Sequence, residues 1–548
     1  MDEKNDIVQL PTPPAPAVCN ASSANPPSPA EFTFPPREKV AEEVVPKPVG
    51  SNRDSRDTID LEKQAPPKRK RFANFRYNVF TVYRRLFAFV FCANLAVFLY
   101  VMISDRQLLA LVDATAVNLV ACGLARHPMV VNGIYRVVCS LPRSAPLWLR
   151  RRAANAAHYG GVHSGCGVAS VVWYIGFLAA VSRLYWTSSP ISPSTSDFKF
   201  SAAPVTLCYV VLVCLLVMVG VAYPTFRRKY HDYFELTHRF GSWTVLALFV
   251  ALLMVFVHEV SRAQRESFGH FLITLPAFWL LIAAIIAIVH PWLLLRKVPV
   301  KAEPLSTHAT RLSFDHTQIS FAKGIQVTKH PLRDWHSFAG FPDEPAPSNR
   351  NSTISNNRDS TISNATTLKG HSYRNSTISN NSTFKKGHRR NNSSFSIVVS
   401  KAGDWTADTI QNPPSNLWKR GSLMRGVGYG LRLFNRIIIV TTGSGIGPCL
   451  GFLGDANRPL IKVVWQTRTP IKTYGQGVLD LVHEMGPDPI ILDTNVLGRV
   501  DMLPIVRQQV DEFQAEAVFV ISNPAMTQKI IYEFQSQGIP AYGPIFDS

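Results

Sequence analysis

Acidic residues are scarce in this chain. Across 548 residues, 37 Asp and Glu stand against 57 Lys and Arg, a formal net charge of +20 with a pI near 9.7. An excess of that size raises the prospect of a nucleic-acid partner. The basic residues, however, fall in blocks beside long apolar runs, a pattern of membrane topology rather than of a phosphate-tracking face. No nucleic-acid partner is expected. The eight cysteines form no C-x-x-C pair, and Cys92, Cys122, Cys208 and Cys214 lie inside apolar runs. Neither a zinc site nor a disulfide scaffold follows. The opening residues Met1–Asp6 have none of the apolar character of a signal peptide. The G-x-G-x-x-G spacing of the usual dinucleotide turn is missing from the glycine-rich stretch described below.

Long apolar runs are what the chain has in abundance. Residues 1–78 come first, rich in Pro, Ser and charge over most of their length, and read as a disordered cytosolic segment. The basic block Pro67–Arg71 suits either a nuclear signal or a juxtamembrane anchor on anionic lipid. Between 79 and 297 lie six apolar stretches, at 86–104, 107–124, 164–186, 204–223, 242–258 and 271–295, each near the ~20 residues that cross a bilayer. Asp113 and Asn118 interrupt the second. Arg84 and Arg85, Arg126 to Arg152, Arg227 to Lys229 and Arg296 to Lys297 all fall on one side, while the loop 188–196 carries almost no charge. That asymmetry predicts a multi-pass helical domain in a cellular membrane, taken as the plasma membrane, with the bilayer as partner and both termini cytosolic.

From 298 the composition becomes globular. Arg311–Asp315, Gln318–Phe321, Ile325–Thr328 and Ser396–Ser400 read as strands of a small β-barrel over 298–434. A low-complexity insert at 345–394 interrupts it, repeating Ser-Thr-Ile-Ser-Asn from 352, 360 and 376. The insert reads either as a solvated loop or as a target of basophilic kinases. Over 435–548 strand and helix signals alternate, as in a doubly wound parallel sheet. Its first strand, Arg436–Val440, runs directly into Thr441–Cys449, with glycines at 443, 445 and 447 followed by Pro448. A glycine turn after such a strand brings backbone N–H groups towards a pyrophosphate. Thr442, Gly443, Ser444, Gly445, Ile446, Gly447 and Pro448 are therefore candidate cofactor-binding residues.

The turn resembles the T-G-x-G-I-A-P element of ferredoxin-NADP reductases and their relatives. Asp334–Ala339 is similar to the E-W-H-P-F-T element that holds FAD in the ferric reductase and NADPH oxidase superfamily. The phrases at Ala402–Thr406 and Tyr542–Ser548 look closest to the fungal TmpA-type membrane flavoproteins, associated with asexual sporulation. The same module also resembles the C-terminal region of certain fungal adenylate-forming multidomain proteins. These resemblances imply FAD bound near His336, Ser337 and Phe338, with His336 at the phosphate or ribitol and Phe338 against the isoalloxazine. They imply NADPH or NADH at the glycine turn. Ser522 stands where the family's catalytic cysteine faces the nicotinamide. Arg468 either meets a 2′-phosphate or is a solvated loop charge, and Phe546 either shields the flavin or packs in the core.

Relatives that pass electrons across a membrane carry two histidines about 14 residues apart on each of two helices. Here His158 and His238 are matched by Val172 and Leu252. One haem on His158 and His238, or none, is what the count allows. The function implied is an integral membrane flavin-dependent oxidoreductase taking electrons from cytosolic NAD(P)H through FAD to an unknown acceptor, linked to conidiation. The competing reading is a non-catalytic membrane sensor or scaffold.

Overall fold

The computed structural model describes residues 71–104, 108–187, 189–190, 197–343 and 394–545. The N-terminal segment before Arg71, the Ser/Asn-rich insert up to residue 393 and Phe546 lie outside them. Unbroken runs of Leu, Val, Ala and Phe make the first half helical. In chain order its helices are α1 (Val82–Ser104), α2 (Leu108–Leu124), α3 (Pro128–Val138), α4 (Leu147–Ala153), α5 (Gly160–Trp186), α6 (Ala202–Val221), α7 (Pro224–Lys229), α8 (His231–Gln264), α9 (Phe268–Thr274) and α10 (Pro276–Leu293). Five of the described helical stretches are long and apolar enough to cross a membrane. A sixth arises only if α2 and α3, bent by 76°, count as one span. The expected six-span domain thus rests on five such stretches, and on six only with the bent pair counted as one.

Small residues let the helices approach closely. A Cβ on Gly161 would collide with the Tyr83 carbonyl oxygen, and one on Gly165 would lie 2.9 Å from Val90 Cβ, so α5 seats directly on α1. The polar residues that interrupt α2 have partners. Asn118 donates to Asn94 Oδ1 at 2.8 Å, and Trp173 Nε1 donates to the same oxygen at 3.0 Å. Asp113 accepts the backbone N–H of Ala277 at 3.0 Å, at the start of α10. Buried polar groups paired in this way fit an apolar bundle.

The second half opens with β1 (Arg296–Pro299), β2 (Lys301–Pro304), β3 (Ala309–Phe314), β4 (Lys323–Thr328), β5 (His336–Ala339), β6 (Phe341–Pro342), β7 (Phe395–Ser400), β8 (Asn416–Lys419) and β9 (Met424–Arg425), with helix α11 (Asp404–Gln411) after β7. They form two antiparallel sheets, ordered β9-β4-β8-β1 with β5 on β4, and β2-β3-β7-β6. Val298, Leu312, Phe314, Ile325, Phe395 and Leu417 fill the space between them. Gln318–Phe321 is not a strand. Its backbone faces the last domain instead: the Ala322 N–H bonds to the Gly451 carbonyl at 3.1 Å, and a Cβ on Gly454 would sit 3.0 Å from Phe321 N.

The last domain alternates as its sequence predicts, through β10 (Arg436–Thr442), α12 (Ile446–Leu450), β11 (Leu460–Thr467), α13 (Pro470–Met485), β12 (Ile490–Asp493), α14 (Thr494–Leu497), α15 (Met502–Phe513), β13 (Ala517–Ile521), α16 (Pro524–Gln537) and β14 (Ala541–Tyr542). The five strands are parallel, in the order β12-β11-β10-β13-β14. Both faces are covered, which is why β10 and β13 read as continuous apolar runs. The helix after the glycine turn begins at Ile446, inside the turn itself.

The α3–α4 segment leaves the bundle and packs on this domain. Val131, Tyr135, Ala153 and Ala154 share one core with Leu431, Leu433 and Ile437. Arg150 donates to both Glu516 oxygens at 2.9 and 3.1 Å and to the Leu433 carbonyl at 3.0 Å. Two arginines that mark topology in the sequence are thus interdomain anchors, since Arg143 also donates to the carbonyl of Arg432 at 2.8 Å.

Candidate nucleotide site at the sheet crossover

Strand order places the site. From β10 the chain winds outward through β11 to β12, then returns to β13 on the other flank of β10. The loops leaving β10 and β13 therefore diverge and open a crevice at the carboxyl ends of the strands, the position at which open α/β sheets receive ligands. A cleft of about 860 Å³ lies there. The turn after β10 contributes Thr442, Gly443, Ser444, Gly445 and Pro448 to its walls, and Arg468 joins them from the end of β11. Ser522 and Asn523 close it from the end of β13. Of the sequence candidates, Ile446 and Gly447 are buried beneath the turn rather than in the cleft wall.

Each part of the turn is held. Trp465 Nε1 donates to the Gly443 carbonyl at 2.9 Å, and Thr441 Oγ1 donates to the Ile521 carbonyl at 2.8 Å. Gly443 has φ of +49°, the left-handed region in which a side chain is strained. Gly445 has another reason to be glycine: a Cβ there would fall 2.5 Å from both the Ile521 oxygen and Thr441 Oγ1. The hydroxyls of Thr442 and Ser522 are 2.6 Å apart, tying the two loops together at the crevice floor. The Asn523 side chain accepts the Met526 N–H at 3.0 Å and caps α16. Ser444 and Arg468 are exposed on the rim, and Arg468 has no ion pair among the described residues. The backbone, the hydroxyl pair and an unneutralised guanidinium suit a phosphorylated ligand.

The flavin candidates sit on β5. His336 and Phe338 share one face of the strand, and the indole of Trp405, from α11, covers both. Its ring centroid is 4.3 Å from His336 at 29° and 5.8 Å from Phe338 at 31°. His336 Nε2 also pairs with Asp334 Oδ2 at 2.5 Å. Ser337 is exposed on the opposite face, 3.4 Å from Gln326 Nε2. The face that would carry an isoalloxazine is thus occupied by the chain's own indole. Phe546 lies outside the described residues.

Of the histidine pair offered for a haem, His238 lines a cavity among the helices and His158 is not among its lining residues. His158 precedes α5, in the 3₁₀ turn Ala154–Tyr159, where its Nδ1 is 3.0 Å from the Asn155 carbonyl. The histidine that shares the cavity with His238 is His163. Because α5 begins at Gly160, His163 rather than His158 is its first histidine, a boundary the apolar pattern did not reveal.

Sequence reasoning missed Trp405 and Arg420 as neighbours of β5. Arg420 lies 4.4 Å from the Trp335 ring and 5.1 Å from that of Trp292. Burial, then the charge of Arg239, pushes its guanidinium down to about 10, against an opposing pull from Glu235. It remains a cation at neutral pH.

Comparison with known proteins finds relatives along most of the chain. The C-terminal domain model of adenylate-forming reductase 03009 matches residues 427–548. Adenylate-forming reductase 03009 of Coprinopsis cinerea is 35% identical over 476 residues, covering 87% of this chain and 41% of the relative. Adenylate-forming reductase 06235 of the same fungus is 34% identical over 492 residues, covering 89% and 42% respectively. The chain spans about two fifths of the length of these relatives. Among solved structures, phthalate dioxygenase reductase aligns with a TM-score of 0.30 at 9% identity, over 45% of this chain and 68% of that one. A Plasmodium falciparum ferredoxin-NADP+ reductase mutant in complex with 2′P-AMP aligns at 0.30 and 11%, over 46% and 95%. Likeness at that level decides nothing about ligand or activity.

These relatives correct the resemblance to the TmpA-type flavoproteins and their superfamily. The match runs through the helical half as well as the module and goes to proteins named adenylate-forming reductases, not to TmpA-type membrane flavoproteins of the ferric reductase and NADPH oxidase superfamily. The expected membrane flavin oxidoreductase and the link to conidiation fall with that assignment, and the sensor reading gains nothing from the same names.

Proposed function

We propose that residues 296–545 form a reductase-type module whose cleft at the sheet crossover binds a nicotinamide dinucleotide. One observation carries this reading: the crossover brings the glycine turn, Ser522 and Arg468, far apart in sequence, around one cleft. In it the pyrophosphate lies along the turn at Thr442–Gly445, Arg468 meets the 2′-phosphate of NADPH, and Ser522 stands where the nicotinamide enters. A bound nicotinamide dinucleotide supplies a hydride. The protein's part is to hold the phosphates and to fix the loop pair through the Thr442–Ser522 bond. The word reductase in the relatives' names agrees with such a module. Isothermal titration of the purified full chain with NADPH and with NADH tests the proposal. Saturable binding of either supports it; no heat from either up to millimolar ligand refutes it.

We further propose that a lipid bilayer surrounds the helical half, with both ends of the chain on its cytosolic side. Phe89, Val97 and Tyr100 on α1, Val213 and Leu216 on α6, and Ile286 on α10 all face outward, where water leaves such a surface unsatisfied. Carbonate extraction of cell membranes tests this, because a bilayer-spanning chain stays in the pellet.

A further inference from the structure

One wall of the cleft at the sheet crossover does not belong to the α/β domain. His308, in the turn between β2 and β3, lines it from the barrel. Ser306, two residues earlier, builds that turn. Its Oγ accepts the N–H groups of His308 and Ala309 at 3.1 and 3.2 Å. The Leu305 and Ser306 N–H groups in turn both donate to the Ala309 carbonyl at 3.0 Å. A serine hydroxyl that closes its own backbone in this way makes a tight, defined turn. The His308 carbonyl accepts the Lys401 N–H at 2.9 Å, next to the end of β7. The main chain of His308 is thereby taken up by the fold, and its exposed imidazole is the part left for the cleft.

The same hydroxyl docks the turn on α13. Ser306 Oγ donates to the Thr473 carbonyl at 2.9 Å, and Thr473 Oγ1 donates to the Arg468 carbonyl at 2.9 Å. The next residue, Tyr474, puts its hydroxyl beside the glycine turn, 3.8 Å from where a Cβ on Gly443 would lie. Two successive residues near the start of α13 thus fix the loops that carry His308, Arg468 and Gly443 around one space. No Asp or Glu among the described residues lines that space. Hydroxyls, backbone N–H groups, a guanidinium and an imidazole do, and all of them can donate. Such a lining suits a ligand with ionised oxygens along its length.

We propose, resting on the reading of this cleft as a dinucleotide site, that His308 is a pyrophosphate ligand reaching in from the barrel. Its imidazole donates to the phosphate oxygens from the side opposite the glycine turn, so the dinucleotide lies between two domains rather than on one. Arg468 then answers to the 2′-phosphate alone, and His308 to the diphosphate that NADPH and NADH share.

Isothermal titration of the purified full chain and its His308 variants with NADPH and with NADH tests this. His308→Ala is expected to weaken both dinucleotides about tenfold, the worth of one bond to an ionised oxygen. His308→Gln keeps an N–H donor at similar reach and is expected to stay within about threefold of the parent for both. The melting temperature is expected to hold, because the turn is closed by Ser306 and not by the imidazole. Equal loss in the Ala and Gln variants marks the ring as packing and overturns the proposal. A loss confined to NADPH moves His308 to the 2′-phosphate and overturns the pyrophosphate assignment. If His308→Ala melts early, the near-isosteric pair His308→Gln and His308→Glu decides: a carboxylate that leaves both dinucleotides as tight as the amide does overturns the proposal. Folded His308→Ala that binds both as the parent does overturns the role of His308 and leaves the cleft reading standing. A parent that binds neither dinucleotide overturns both.

Discussion

At the residue scale, the glycines of the turn are less useful probes of binding than their neighbours. A side chain at Gly445 meets the backbone oxygen of Ile521 before it meets any ligand, so Gly445→Val reports on folding. Ser444 is exposed on the same turn. Ser444→Asp places a negative charge where the proposed nucleotide's pyrophosphate would lie, and is expected to weaken both NADPH and NADH about tenfold with an unchanged melting temperature. On the proposed reading, Arg468 is the residue that tells the two cofactors apart. Because its guanidinium has no carboxylate partner among the described residues, Arg468→Gln is expected to weaken NADPH about tenfold and leave NADH unchanged, read by calorimetric titration. Equal loss for both would make Arg468 a general phosphate contact. Trp405 poses the converse question. Its Nε1 is buried without an acceptor among the described residues, so its seat over His336 and Phe338 is a weak one. Trp405→Ala is expected to raise FAD affinity about tenfold, measured by flavin fluorescence quenching. No change would place any flavin elsewhere than on β5.

At the scale of elements, the α3–α4 segment shows what pattern alone misses. Arg150 lies in a basic block between apolar runs, and charge bias assigns such a block to membrane orientation. In the fold Arg150 is buried, and its fork grips Glu516 on the residue before β13. Burial alone would raise the Glu516 carboxyl. The bonds from Arg150, from the Asn435 backbone and side chain, and the charge of Arg150 outweigh that and hold it below the ordinary glutamate value. Glu516→Gln leaves a buried guanidinium half-paired and is expected to cost about 2–3 kcal/mol at neutral pH. The sign of the pH dependence follows from the lowered value. The contribution is complete above the ordinary glutamate pKa of about 4.3 and is lost as pH falls through the folded one. Denaturant melts should therefore show parent and Glu516→Gln converging in acid. The alternation over 435–545, with its apolar strands and short glycine turn, was legible because period and punctuation are local properties. The partners of Arg150 and Arg143, the loop at Gln318–Phe321 and the choice of His163 over His158 depend on contacts more than a hundred residues away or on a helix boundary. None of these leaves a local signature.

At the scale of the whole molecule, the two halves share a core. Tyr135 and Tyr429 meet edge to face, with centroids 5.8 Å apart. A Cβ on Gly430 would lie 3.1 Å from the Ala154 carbonyl oxygen, so backbone touches backbone across the junction. Tyr542 Oη donates to the Arg151 carbonyl at 3.0 Å, and Asn132 accepts the Arg425 N–H at 2.9 Å. An interface with buried tyrosines, leucines and a paired arginine resembles a domain core more than the polar contact of two mobile domains. It follows that the module does not stand alone as an ordinary soluble reductase would. Residues 296–548 expressed without the helices expose Tyr429, Leu431 and Leu433, and leave Glu516 without its arginine. The fragment is expected to self-associate in gel filtration and to melt at lower temperature than the full chain. Adding 125–159 as a separate peptide is expected to raise that melting temperature, since it restores Tyr135, Arg150 and Ala154 to their seats. A monodisperse fragment that ignores the peptide would show the junction to be a contact of convenience, and would detach the nucleotide cleft from the helical cavity as independent units.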